Sequence, residues 1–111
     1  MILCVPVTTK GEVDPRWGRA GRVAVTEVVG GTVRSWEEFD VAWDRLHDEG
    51  SEGGHHARVA RFVQEHRATI VVAGHMGDPM LQMLRQMDID ARLGVSGQAR
   101  QAVLAEAARI S

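Results

Sequence analysis

Apolar positions along this chain follow two different periods. Ile2 to Val7 (ILCVPV) is a short unbroken apolar run rich in branched residues, the pattern of a strand buried on both faces. Thr8 to Gly21 breaks the pattern with Gly11, Pro15, Gly18 and Gly21 and reads as a long loop. Arg22 to Val29 alternates, with Val23 and Val25 on one side and Ala24, Thr26 and Val28 on the other, and predicts a second strand. Gly30-Gly31 is a hairpin signal, so Thr32 to Glu37 should return as the antiparallel partner. From Glu38 to Gly54 the period is lost and the chain turns acidic. That stretch predicts a mostly irregular loop with room for one short helical turn, closed by Gly53-Gly54.

A helical period then takes over. About His55 to His66 forms the first full helix, with Ala57, Val59, Ala60, Phe62 and Val63 inward. Ala68 to Ala73 is another buried strand. Gly77 to Met87 is a helix with Met80, Leu81, Leu84 and Met87 inward. Ile89 to Val95 is a short strand, and Gly97 to Ile110 is a helix with Ala99, Ala102, Val103 and Ala107 inward. The predicted order is βββαβαβα. It defines an α/β domain over residues 1–111 with a mixed five-stranded sheet. The right-handed crossover rule places the first strand parallel to the fourth.

Composition narrows the function. A net charge of −2 provides no basic field for nucleic acid or anionic lipid. No apolar run reaches the length of a membrane span, and no leader pattern opens the chain, so a cytoplasmic location is expected. The lone thiol, Cys4, cannot build a four-cysteine site within one chain, and inside an apolar strand it is expected to act as a small hydrophobe. No P-loop and no nucleophile elbow occurs, so no enzymatic centre is expected.

Candidate chemistry collects where such sheets bind ligands, beyond the carboxyl ends of the parallel strands. Thr8-Thr9-Lys10, Gly74-His75-Met76-Gly77 and Gly94-Val95-Ser96-Gly97 should meet there, with Trp17-Gly18-Arg19 nearby. Two of these segments lead into helix N-termini, which suit an anion. Imidazole and thioether suit transition metals. Metal ligation is therefore expected of His75, with His55 and His56, and ligand contact of Arg19, Gly74, Met76 and Gly77. The competing readings are an exposed helix start for His55 and His56 and a core gap-filler for Met76.

ILCVPV, DPRWGRAGRVAVTEV, EGGHHARVARF and VVAGHMGDPMLQMLRQMDIDARLG occur in that order over nearly the whole chain. Together they resemble the dinitrogenase iron–molybdenum cofactor biosynthesis family. The resemblance implies an RNase H-like mixed sheet. It also implies a non-catalytic nitrogenase accessory protein that binds or carries an iron–sulfur or molybdenum-containing cluster, with cluster donor or acceptor proteins as partners and a homodimer compatible with the role. The family pattern often has histidine and phenylalanine where Arg16 and Trp17 precede Gly18-Arg19, and a glycine where His75 stands. The alternative is a metal-free regulatory or protein-interaction module on the same fold. A two-metal nuclease, the other activity such a sheet hosts, needs clustered carboxylates, and the first strand supplies none.

Overall fold

The computed structural model describes residues 1–46 and 52–109. Its elements are β1 (Ile2–Pro6), β2 (Arg22–Val29), β3 (Thr32–Asp40), α1 (Trp43–Leu46), α2 (Glu52–Glu65), β4 (Ile70–Val72), α3 (Asp78–Gln86), β5 (Asp90–Arg92) and α4 (Ala99–Ala108). The five strands lie in the order β3-β2-β1-β4-β5. β1 pairs antiparallel with β2 and parallel with β4, β2 pairs antiparallel with β3, and β4 pairs parallel with β5. This is the mixed RNase H-like arrangement expected from the element order.

The middle of the sheet is buried from both sides because β1, β2 and β4 each supply apolar residues to both faces. Cys4, Val23, Val71 and Ala73 pack with Trp43 of α1, Val59 and Val63 of α2, and Met80 and Leu84 of α3. Leu3, Val5, Ala24, Val28, Ile70 and Val72 pack with Ala99 and Val103 of α4. β1 is central and wholly apolar, which is why its sequence shows no alternation.

Several boundaries differ from the sequence expectation. β3 continues three residues beyond Glu37 to Asp40, because Phe39 still pairs with Val23 and Asp40 with Arg22. The expected helical turn is α1. Gly53 and Gly54 lie inside α2 rather than before it. Glycine within a helix costs only about 1 kcal/mol against alanine, so it does not force a break. The inward face of α2 is His55, Val59 and Val63, with Phe62 partly buried, and Ala57 points to solvent. Spacing by four from His55 sets that face, and a histidine at its head breaks the apolar pattern that would mark it inward. The acidic segment 47–51 and the expected helix end at Ile110 lie outside the described residues.

Cys4 is fully buried, and burial pushes its thiol up from 9.0 to about 12. A native thiol that stays protonated does not attack, so Cys4 should be inert to a thiol reagent at pH 8 and react once urea unfolds the chain. The sign of the pH effect follows from linkage. Below pH ~9 the thiol is protonated in both states and contributes nothing. Above it the unfolded thiol ionises while the folded one does not, so stability falls as pH rises toward ~12, by about 1.4 kcal/mol per pH unit. Urea midpoints measured across alkaline pH should therefore fall more steeply for the parent than for Cys4→Ala. Parallel slopes would exclude the effect.

Candidate ligand-binding rim

At the carboxyl ends of β1 and β4 the loop after β1 folds back over the segment after β4. Arg16 bridges to His75 in parallel, and the Trp17 amide donates to the His75 carbonyl at 3.1 Å. The approach is close enough to exclude a side chain. A Cβ on Gly74 would lie 2.8 Å from Pro15 Cα and 2.9 Å from the Pro15 carbonyl oxygen. Gly74 is therefore glycine because another backbone crosses it. On the other side the Gly94 amide donates to the Gly74 carbonyl, extending the β4–β5 pairing into the rim.

The stapled loops divide their side chains between core and solvent. Trp17 is fully buried, edge-on to Trp43 at 5.1 Å between ring centroids. Its Nε1 is buried with no hydrogen-bond partner among the described residues. Met76 is also buried, in the same core as Met80 and Leu84. It packs inward, away from the rim contact expected of it. His75, Gly77, Arg16 and Arg19 are exposed. The Arg16 guanidinium stands 3.6 Å from the Asp14 carboxylate, which also accepts the Arg16 amide at 3.0 Å.

His55 takes a place that its sequence context did not suggest. It is 2% exposed, with Nε2 2.8 Å from the Gly18 carbonyl oxygen and Nδ1 2.9 Å from a guanidinium nitrogen of Arg58. A carbonyl only accepts and a guanidinium only donates. The tautomer that satisfies both therefore carries its proton on Nε2 and accepts at Nδ1. Arg58 also donates to the Leu46 carbonyl at 3.2 Å. His55 thus ties α2 to the rim loop at Gly18, and Arg58 ties it to the end of α1. A metal at His55 would have to displace one of these two bonds. His56 is half-buried on the same helix. Among the described residues no group of three or more His, Cys, Asp or Glu side chains is placed to hold a metal ion, so His55, His56 and His75 do not form a ready ligand set.

The two helix N-termini expected to favour an anion do so only weakly. At α4 the Ala99 amide is taken by the Gly11 carbonyl, and the Val13 amide donates to Gly97. These bonds fasten the Thr8–Val13 loop across that helix end. At α3 the first turn holds Asp78, a carboxylate, and Pro79, which has no amide proton. Positive charge at the rim comes instead from the exposed Arg16 and Arg19. The sequence pattern marks Arg16 only as a departure from the family's histidine, and Pro15 only as a loop breaker. The signal for a rim role is their place directly before Trp17-Gly18.

A small α/β domain of the RNase H-like class, with a glycine-dependent rim at the ends of its parallel strands, is what fold and site define. The model of the family described as dinitrogenase iron-molybdenum cofactor matches residues 1–109. The chain belongs to that family. Solved structures agree on the fold. PH0822 superposes with a TM-score of 0.75 at 19% identity, over 96% of this chain and 92% of that one. The apo form of the orange protein from Desulfovibrio gigas gives 0.71 at 24% identity, over 92% and 82%. The protein mj0327 from Methanocaldococcus jannaschii gives 0.68 at 9% identity, over 100% and 92%. No curated protein sequence matches the chain significantly.

Proposed function

We propose that this chain is a non-catalytic accessory protein that binds an already assembled anionic metal–sulfur cluster, iron–sulfur or molybdenum-containing, as cargo at the rim. The observation that carries the reading is the stapling of Pro15–Trp17 onto Gly74–His75, which leaves the His75 side chain exposed beside Arg16, with Arg19 further along the same loop. Membership of a family described by the iron-molybdenum cofactor of dinitrogenase supports the kind of cargo.

The chemistry of the donor set limits how the cluster is held. The single thiol is buried, and no triad of ligating side chains is in place among the described residues. A cluster built in place on protein thiolates does not fit these residues. A cluster that arrives assembled fits better, because its sulfides accept hydrogen bonds and its charge is met by guanidinium groups. His75 is the side chain in position to ligate it. Exchange with cluster donor or acceptor proteins, in the cytoplasm, completes the proposed role.

Anaerobic incubation with a preassembled, thiol-ligated iron–sulfur or molybdenum–iron–sulfur cluster, followed by desalting, visible absorption and elemental analysis, tests the reading. A stoichiometric chromophore is expected for the parent. His75→Ala should lose most of it, and Arg16→Ala/Arg19→Ala should weaken retention, with folding unchanged by circular dichroism. Retention equal to the parent in all variants removes the rim as the site. A chain that takes up no cluster, alone or from a loaded donor, is instead the metal-free interaction module.

A further inference from the structure

A second surface lies along the β3 edge of the sheet. β1 runs from Ile2 to Pro6, and Ile2 pairs with Glu27 at the end remote from the rim. On the face covered by α2, burial fades along β2 from Val23, fully buried, to half-buried Val25 and Glu27. The helix ends at Glu65, and His66 closes it by packing against Phe39 and Phe62, each at 4.6 Å between ring centroids. Beside His66 a cavity of about 140 Å³ opens, lined by Ile2, Val25 and Phe39 and by Glu27, Ser35, Glu37 and His66.

The edge beside that cavity is unpaired. β3 is the outer strand of the sheet, nine residues long, and among the described residues it pairs only with β2. An edge of this length exposes a row of backbone donors and acceptors. Edge and cavity together are the two parts of strand-addition recognition, in which backbone pairing supplies affinity and a pocket for an alternate side chain supplies selectivity.

We infer that β3 and this cavity form a docking surface for an extended basic segment of a partner protein, which adds as a strand to β3 and inserts one arginine or lysine side chain between Glu27 and Glu37. Size and charge choose the occupant. The cavity is well below the roughly 300–1,000 Å³ of small-molecule sites, so it takes about one long side chain. Its apolar floor suits the methylene stem of arginine or lysine, and its two carboxylates suit the cationic head. No ion pair within the chain engages Glu27 or Glu37 among the described residues. The surface is separate from the rim and does not depend on what the rim binds.

The test is a titration of the ¹⁵N-labelled chain with a short peptide of alternating valine and threonine with arginine at its centre, followed by amide shifts. The control peptide carries citrulline, a neutral isostere, at that position. Saturable shifts are expected along Thr32–Asp40 and at Ile2, Val25 and Glu27. Binding should be about tenfold weaker for the citrulline peptide, and similarly weaker for the Glu27→Gln/Glu37→Gln variant, as the loss of two half-exposed ion pairs requires. Both carboxylates are at the surface, so an unchanged spectrum of the free variant checks its fold. The inference is overturned if no saturable shift appears at millimolar peptide, or if arginine and citrulline peptides bind alike. It is also overturned if the β3 amides move with protein concentration alone, which would make a second copy of the chain the occupant.

Discussion

Gly74→Ala is expected to lower stability by about 2–3 kcal/mol, near the upper end of overpacking substitutions. A Cβ there would sit 2.8 Å from Pro15 Cα and 2.9 Å from its carbonyl oxygen, both main-chain atoms that no rotamer change can move aside. Relief requires the Pro15–Trp17 strand to lift from Gly74–His75. That motion would break the Trp17 amide bond to the His75 carbonyl and disturb the burial of Trp17. The φ angle of Gly74 is not in the left-handed region, so the cost is steric and separable from backbone conformation. Gly77→Ala is the matched control. It is three residues away on the same rim, and its Cβ would meet only Pro79 Cδ at 3.8 Å, an ordinary contact. Thermal unfolding should fall by roughly 10 °C for Gly74→Ala, at about 4 °C per kcal/mol, and by little for Gly77→Ala. Equal shifts for the two variants would mean that the loops are not stapled at Gly74. If the rim is the cluster site, Gly74→Ala should also reduce uptake under conditions where the variant remains folded.

The sheet was readable because its strands differ in kind. β1 and β4 are unbroken apolar runs, β2 alternates, and Gly30-Gly31 marks the only tight hairpin signal between strands. Together with the crossover rule, these features give the strand pairing. The helices after β4 and β5 were equally legible, since Met80, Leu84, Ala99 and Val103 recur at helical spacing and are buried. What failed was the assignment of polar residues to core or surface. His55 sits on the inner stripe of α2, four residues before Val59 and eight before Val63, but a polar residue next to Gly53-Gly54 looks like a helix start. The Gly18 carbonyl, 37 residues away in sequence, and the Arg58 guanidinium explain why an imidazole belongs there. At the rim, the loop segments were found from topology alone. Their division into buried Trp17 and Met76 and exposed Arg16, Arg19 and His75 depends on a backbone crossing between residues 15 and 74, which no local pattern encodes.

Trp17→Ala should be the most damaging single substitution in the described chain, costing about 3–5 kcal/mol. The side chain is fully buried and edge-on to Trp43, which in turn meets Phe62 edge-on at 5.6 Å. Truncation would remove the ring that joins the rim loop to the aromatic layer between α1 and α2. A domain of this size has about 5–15 kcal/mol of stability, so the variant should fold only marginally. Trp17→Phe separates volume from polarity. It keeps most of the aromatic packing and removes the indole N–H, which is buried without a partner among the described residues. An unsatisfied buried donor carries a desolvation cost of about 1–3 kcal/mol, and deleting it offsets part of the lost volume. Trp17→Phe should therefore cost clearly less than half of what Trp17→Ala costs in urea unfolding. If the two are equally destabilised, the indole N–H has a partner in solution, such as a buried water. Loss of that partner would then account for the cost of Trp17→Phe, and the loop beside Gly18 would hold a polar site deeper than the exposed rim.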